Sequence, residues 1–194
     1  MPRIPAVQEK NANWLVKAAY RYSRKRFGAV LEPLAVLAHH RGVLLVNSGH
    51  ELGVQRVSRA LPPALGELVL YRTAVRLGCS WCVDFGTMLQ KHEGLDTDRL
   101  VEIHDYPTSS KYTELEKLAL AYADAMTDTP VAVTDEQVAE LVERLGHRGV
   151  VELTYLIAVE NQRGRANAAF GITDQGFTSG DACRVPDRQA PNGT

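Results

Sequence analysis

Apolar residues recur at intervals of three and four along most of the chain, and this spacing predicts an all-α protein. The alternation of apolar and polar residues that is typical of strands is nearly absent. In the first third, the pattern predicts a helix over residues 10–27, with an apolar stripe of Trp14, Leu15, Ala18 and Tyr22. It predicts a second helical region over about residues 31–55, broken near Gly42 or Gly49.

A helical hairpin is predicted in the middle of the chain. Pro62 and Pro63 suit the first turn of a helix, which should run to about Leu77 and stop at Gly78. A further helix should begin around Ser80, continue to about His92 and end at Gly94.

Capping residues mark the helices of the second half. Thr113 with Glu116, and Thr134 with Gln137, have the spacing of capping boxes, and each pair precedes an apolar run. Gly146 should stop the helix that follows the second box.

The last long helix is predicted over about residues 149–169, and a loop or tail over the Gly- and Pro-rich residues from Gly171 on. Together the elements indicate an all-α bundle with short connections. We expect an N-terminal helical extension over residues 1–60 packed on a core at 61–172, with a C-terminal loop or tail at 173–194.

Composition and charge agree with an ordinary folded protein. Of the 194 residues, 45% are hydrophobic and 23% are charged, and the formal net charge is -1. A nucleic-acid partner is not expected, because such partners usually call for a basic excess. The most apolar stretch, residues 29–46, is interrupted by charged residues and proline, and the first 15 residues have no apolar core. We therefore expect no membrane span or secretory signal, and a cytoplasmic location.

Two of the three cysteines stand close together, in the sequence Cys79-Ser80-Trp81-Cys82. A zinc site normally needs four ligands, and no second pair or suitably spaced histidine accompanies this one. Covalent haem attachment needs a histidine at the position of Val83.

Two interpretations of the pair remain. One is that both cysteines are buried and purely structural. Redox chemistry fits best, because unpaired N–H groups at a helix start favour the reactive thiolate, and the second sulfur lies one turn away. Geometry alone does not say which sulfur attacks first.

Glu67, on the helix before the pair, has two interpretations. It is either a solvated surface residue or a buried carboxyl with a raised pKa, which accepts the thiol proton directly or through water. Cys183, in the tail, is expected to be a free thiol.

These residues resemble the active-site motif of the AhpD-like/carboxymuconolactone decarboxylase family. The motif is a glutamate, eleven residues and a Cys-x-x-Cys, here Glu67-LVLYRTAVRLG-Cys79-Ser-Trp-Cys82, and the resemblance extends over roughly residues 60–172. It implies an AhpD-like helical bundle whose protomers form dimers, trimers or hexamers. By position, Cys82 would be the peroxidatic cysteine, Cys79 the resolving cysteine and Glu67 the proton relay.

The chain departs from the family pattern at one position. The redox members carry a histidine four residues after the second cysteine, where this chain has Gly86. Asp84 is a candidate for an alternative base. Its other interpretation is a charge that complements the positive end of the helix dipole.

Three functional hypotheses follow. The first is a thiol-dependent peroxidase or disulfide oxidoreductase with antioxidant function, which uses hydroperoxide or disulfide substrates, an external thiol reductant and no bound cofactor or metal. The second is a lactone enzyme like carboxymuconolactone decarboxylase, with Glu67 in acid–base chemistry. The third is a non-enzymatic helical assembly protein with an inert pair. The decarboxylase branch does not use a Cys-x-x-Cys, so the pair favours the first hypothesis.

Overall fold

A computed structural model describes residues 2–178 of the chain, and within this range it contains helices and no strands. The prediction of an all-α fold is confirmed. The α-helices are α1 (Trp14–Phe27), α2 (Glu32–Leu37), α3 (Arg41–Val57), α4 (Pro63–Leu77), α5 (Ser80–His92), α6 (Glu114–Thr127) and α7 (Asp135–Phe170), and short 3₁₀ helices span Glu9–Asn11 and Asp98–Asp105. Across the same range, every helix is too short or too polar to span a lipid bilayer.

The chain divides into two compact units. Among the described residues, one contains residues 2–58 and 167–173, and the other contains residues 59–166 and 174–178. The three-part division at residues 60 and 172 expected from the sequence stays a prediction.

The first unit has a small core between α1, α2 and α3. Its buried members are Ala12, Val16, Tyr20, Ala35, Ala38 and Leu44. The stripe predicted for α1 is wrong, because Trp14 is 79% exposed and Tyr22 is 49% exposed. The buried face instead carries Val16, Tyr20 and Ser23. The Tyr20 hydroxyl donates to the Val7 carbonyl at 2.6 Å, so the polar tip of this buried ring has a hydrogen-bond partner.

The break between α2 and α3 falls before the predicted glycines. α2 ends at Leu37 and α3 begins at Arg41, with Gly49 inside it. The His40 ring nitrogen accepts a hydrogen bond from the Val43 N–H at 3.2 Å and caps α3. A histidine cap, rather than a glycine, therefore sets the break.

In the second unit, the predicted hairpin of α4 and α5 is confirmed at both ends of both helices. Both predicted capping boxes are present. Thr113 and Glu116 start α6 with reciprocal bonds, and Thr134 and Gln137 exchange bonds of 3.2 Å each at the start of α7. Gly146 has φ 68° and ψ 167°, outside the helical region, so the helix that starts at Asp135 stops there as predicted, and a second helix follows directly across a kink within α7. The 3₁₀ helix before α6 was not predicted.

Candidate active site

The turn between α4 and α5 positions the cysteine pair. Gly78 adopts φ 67°, a left-handed conformation that glycine enters without steric cost. Its N–H donates to the Val75 carbonyl and the Cys79 N–H donates to the Ala74 carbonyl, each at 3.0 Å. These bonds close α4, and α5 begins only two residues later. The turn thus makes Cys79 the N-cap residue of α5.

Cys79 and Cys82 are joined by a disulfide, with their Cα atoms 5.3 Å apart. The Cys79 sulfur also accepts a hydrogen bond from the Cys82 N–H at 3.3 Å. That N–H is one of the first-turn groups that a helix leaves without an internal acceptor. A negative charge on the Cys79 sulfur would be stabilised there by this N–H and by the helix dipole.

The pair is nearly sealed from solvent, since Cys79 is 4% exposed and Cys82 is 7% exposed. Part of this cover comes from α7. A Cβ added at Gly164 would lie 3.6 Å from the Cys79 Cβ and 2.6 Å from a methyl group of Leu77. The absence of a side chain at Gly164 therefore allows α7 to approach the turn that carries the cysteines.

Glu67 lies on α4, and burial raises its pKa to about 7. The negative charge of Glu93 raises the pKa further, whereas the positive charge of Arg163 opposes both effects. At neutral pH, the carboxyl group therefore exists in both its protonated and ionised forms. It has the properties of a group that exchanges protons.

Glu67 is displaced along the hairpin from the cysteines. α4 and α5 run in opposite directions, and a Cβ on Gly86 would lie 3.6 Å from the ring of Tyr71. Glu67 lies one turn before Tyr71 on α4, and Cys82 lies one turn before Gly86 on α5. Because the two helices run in opposite directions, these two steps lead in opposite directions along the hairpin.

One face of α5 carries the cysteines together with polar residues that the sequence reasoning missed. Cys82, Gly86, Gln90 and Glu93 follow at intervals of four, four and three, so they share a helix face. The side chain of Gln90 is 1% exposed, and its amide nitrogen has no hydrogen-bond acceptor within residues 2–178. The same spacing in the sequence was a usable signal for this residue.

On α7, Glu160 is buried and pairs with Arg163 at 3.1 Å. The positive charge of Arg163 also lowers the pKa of Glu67, against the effect of burial. Asn161, on the same stretch of α7, donates to the Thr127 hydroxyl at 3.1 Å.

Asp84 is buried, and its carboxylate oxygens are occupied by residues 174–178, which we call the C-terminal strap. Burial alone would raise the pKa of Asp84, but hydrogen bonds from Phe177, Thr178 and Gln175 outweigh it and lower the pKa. The carboxylate therefore stays ionised and is already engaged by donors. A role for Asp84 as a base stays a prediction from the sequence.

Cys183 lies outside the described residues. Within the described part of the chain, no group of three or more His, Cys, Asp or Glu side chains is arranged to hold a metal ion.

This arrangement of helices is the AhpD-like fold. The chain superposes on an AhpD-core, peroxidase-related protein from Ralstonia eutropha JMP134 with a TM-score of 0.78 at 13% identity, covering 91% of this chain and 94% of the other. It superposes on a cysteine-to-alanine variant of the debrominase Bmp8, in complex with 2,3,4-tribromopyrrole, with a TM-score of 0.80 at 17% identity, covering 92% and 94%. The resemblance predicted from the sequence is confirmed at the level of the fold.

Among curated proteins, the chain is 28% identical over 190 residues to the uncharacterized protein YnjA of Escherichia coli (strain K12). The alignment covers 98% of this chain and 97% of that protein. No protein-family model matches the chain.

Proposed function

We propose that this chain is an enzyme, a thiol-dependent oxidoreductase of the AhpD-like type that reduces hydroperoxides through Cys79 and Cys82. The disulfide between these two cysteines at the start of α5 carries the proposal. Two electrons reduce this bond to two thiols, and its formation from the thiols releases two electrons. A helix N-terminus and a carboxyl with a pKa near neutrality accompany it.

The proposed cycle balances as follows. The Cys82 thiolate attacks the terminal oxygen of a hydroperoxide ROOH. The O–O bond breaks, ROH leaves after taking a proton, and Cys82 becomes a sulfenic acid. The Cys79 thiol then displaces water from that sulfur and forms the disulfide. Two equivalents of an external thiol reduce the disulfide and leave as their own disulfide.

Glu67 transfers the protons in this proposal. Its ionised form accepts the proton of the Cys82 thiol, and its protonated form returns a proton to the leaving alkoxide. Because the two groups lie at different levels of the hairpin, water or the substrate itself passes the proton. The cysteine order and the relay come from the family resemblance, and the hydrogen bond to the Cys79 sulfur makes the reverse order the alternative to test.

A thiol count tests the proposal. The protein is reduced, desalted and treated with one equivalent of cumene hydroperoxide, and free thiols are measured with Ellman's reagent. We expect a loss of two thiols per chain in the wild type and in Cys183→Ser, which is the matched control. Two thiols that persist after the treatment would contradict the proposal.

Trapping with dimedone tests the order of the two sulfurs. In Cys79→Ser, the sulfenic acid on Cys82 has no resolving partner, so the adduct should accumulate at Cys82. In Cys82→Ser, we expect little adduct at Cys79. The opposite pattern would keep the chemistry but exchange the two roles.

Reductive debromination is a second candidate, favoured by the superposition on Bmp8 over 92% of this chain. The same pair would supply two electrons. A bromopyrrole takes a proton at carbon and releases bromide, while the two thiols become the disulfide and release their protons. Bromide release from 2,3,4-tribromopyrrole by reduced wild type, and its loss in Cys82→Ser, would support this substrate class over hydroperoxides.

The remaining expectations belong to the same proposal. We propose an external thiol as reductant, a homo-oligomer of two, three or six chains and a cytoplasmic location. If Cys79→Ala and Cys82→Ala both retain full activity on a small lactone acid, the decarboxylase-like alternative holds instead. Thiols that resist iodoacetamide at pH 6 would favour the non-enzymatic assembly protein.

A further inference from the structure

The C-terminal strap, residues 174–178, is held by the carboxylate of Asp84. Oδ2 accepts from the Gln175 N–H at 3.1 Å and from the Phe177 N–H at 2.9 Å. Oδ1 accepts from the Thr178 N–H at 3.0 Å and from the Thr178 hydroxyl at 2.7 Å. A buried charge with four donors is a strong anchor, because hydrogen bonds to charged groups are stronger than neutral ones.

The strap also contacts both residues between the cysteines. The Ser80 hydroxyl accepts from the Asp174 N–H at 3.2 Å, and the Trp81 indole N–H donates to the Gln175 side chain at 3.0 Å. The Trp81 ring stacks on Phe85 at 4.8 Å, and the ring of Phe177 meets both of these rings edge-on, at 6.5 and 5.6 Å. Thus the first turn of α5 is held by polar and aromatic contacts together.

The strap and the sulfurs lie on opposite sides of α5. Residues 80, 81, 84 and 85 form two pairs at a spacing of four, so they share a face. Cys79, Cys82 and Gly86 belong to the other face. The strap therefore does not cover the sulfurs, and it contacts the first turn of α5 from the side opposite to them.

The contacts of the strap with the first turn of α5 matter because disulfide formation depends on the backbone geometry of this turn. The two Cα atoms must lie about 4.4–6.8 Å apart with suitably directed side chains. Here they are 5.3 Å apart while residues 80, 81 and 84 are held by the strap. A turn that is already held in this geometry loses less conformational entropy when the disulfide forms.

We propose that Asp84 is a positioning residue for the redox reaction. By holding the strap, it keeps the first turn of α5 in the geometry in which Cys79 and Cys82 bond. Strap docking and disulfide formation then favour each other, because coupling between two equilibria is reciprocal. This inference rests on the proposed function, since it concerns the same cysteine pair.

The test is an equilibrium with glutathione, in which the disulfide and two glutathione thiols exchange for the dithiol and oxidised glutathione. Protein is equilibrated over a series of glutathione ratios and quenched with acid, and the two forms are separated after alkylation with a maleimide. In Asp84→Asn, we expect the equilibrium to shift toward the dithiol by about fivefold or more, the lower range of ordinary coupling.

Matched variants distinguish the effect of the strap from the effect of the Asp84 charge. Phe177→Ala and Thr178→Val weaken the strap but keep Asp84, and both should shift the equilibrium in the same direction as Asp84→Asn. Asp174→Asn removes a carboxylate from the strap and keeps the backbone N–H that bonds to Ser80, so it should match the wild type. If Asp84→Asn fails to fold, the two strap variants carry the test.

Hydrogen exchange gives a second readout. The amides of residues 175, 177 and 178 should be protected in the oxidised protein and exchange faster in the reduced protein. Equal protection in both states would overturn the inference. So would variants that lower the melting temperature but keep the wild-type glutathione equilibrium, because the strap would then only stabilise the fold. A wild-type pair that does not exchange with glutathione at all would overturn the proposed function itself.

Discussion

The carboxyl group of Glu67 sits in surroundings that oppose its ionisation. Burial is the largest cause, and the neighbouring charge of Glu93 adds to it. The folded protein therefore binds the Glu67 proton more tightly than the unfolded chain, whose pKa is close to 4.5. The associated stability is fully present below pH 4.5 and is lost as the pH rises toward 7.

Replacement of Glu67 by glutamine should remove this pH dependence. A pKa raised from 4.5 to about 7 corresponds to about 3 kcal/mol of lost unfolding free energy above pH 7. Urea unfolding at pH 4.5 and 7.5 measures it, and the stability of Glu67→Gln relative to wild type should rise by up to this amount between the two values. Parallel pH profiles for the two proteins would show that Glu67 is solvated.

Arg72 and Asp124 form a bidentate pair between α4 and α6, with both bonds at 2.7 Å. Arg72 is 8% exposed, and Tyr106 donates to the same carboxylate at 3.1 Å. Removing one member of a buried pair leaves an uncompensated charge behind. One turn further on, Arg76 of α4 and Asp128, the residue that follows α6, form a pair whose side chains are 47% and 39% exposed.

Arg72→Met should therefore cost about 3–5 kcal/mol of unfolding free energy. Arg76→Met, the matched control, should cost less than about 1 kcal/mol. Denaturant unfolding measures both, and adding Asp124→Leu to Arg72→Met should recover part of the loss. Similar costs for the two arginine variants would contradict a buried role for Arg72.

At the scale of elements, local signals were enough to place the hairpin of α4 and α5. Two prolines at its start and Gly78 at its turn act within a few residues, so the sequence predicted its bounds. The capping boxes of α6 and α7 are local for the same reason. The buried face of α1 and the 3₁₀ helix over Asp98–Asp105 depend on contacts with distant residues, such as Tyr112 donating to the Arg99 carbonyl. Neither was predicted correctly.

The close packing of α7 on this hairpin is tested at Gly164. Its added Cβ would lie 2.6 Å from a methyl group of Leu77, which forces a shift. We expect Gly164→Ala to cost about 1–3 kcal/mol of unfolding free energy. A helical glycine in open space, Gly53, is the control. Gly53→Ala should stabilise by about 0.5–1 kcal/mol. Thermal unfolding of both variants checks the opposite signs, and a stabilising Gly164→Ala would rule out tight packing there.

At the scale of the whole molecule, two compact units each contain their own buried residues. Leu44 is 1% exposed in the first, and Leu68 is fully buried in the second. The sequence pattern showed many apolar residues in both regions but did not show which of them share a core. The site was predictable only in part, because some of its contacts join residues that are far apart in the chain. The cysteine pair and Glu67 are read from spacing, whereas the strap bonds to Asp84 across 91 to 94 residues.

Substitutions in the two cores should have separate effects on local opening. Leu44→Ala should increase hydrogen exchange in α1, α2 and α3, and Leu68→Ala should increase it in α4, α5 and α6, since each cavity costs about 2–5 kcal/mol. Exchange measured by mass spectrometry on peptides resolves the two regions. If either variant accelerates exchange equally throughout the chain, the units unfold as one.

The two tryptophans of the chain lie in contrasting places. Trp14 is open to water, and Trp81 is buried between the two cysteines in sequence. A water-exposed indole emits at longer wavelength than a buried one, so the two residues contribute at different wavelengths. The Trp81 indole N–H donates to Gln175 of the C-terminal strap. If reduction of the pair loosens the strap, the blue part of the emission should shift toward longer wavelength, while the red part from Trp14 serves as the reference.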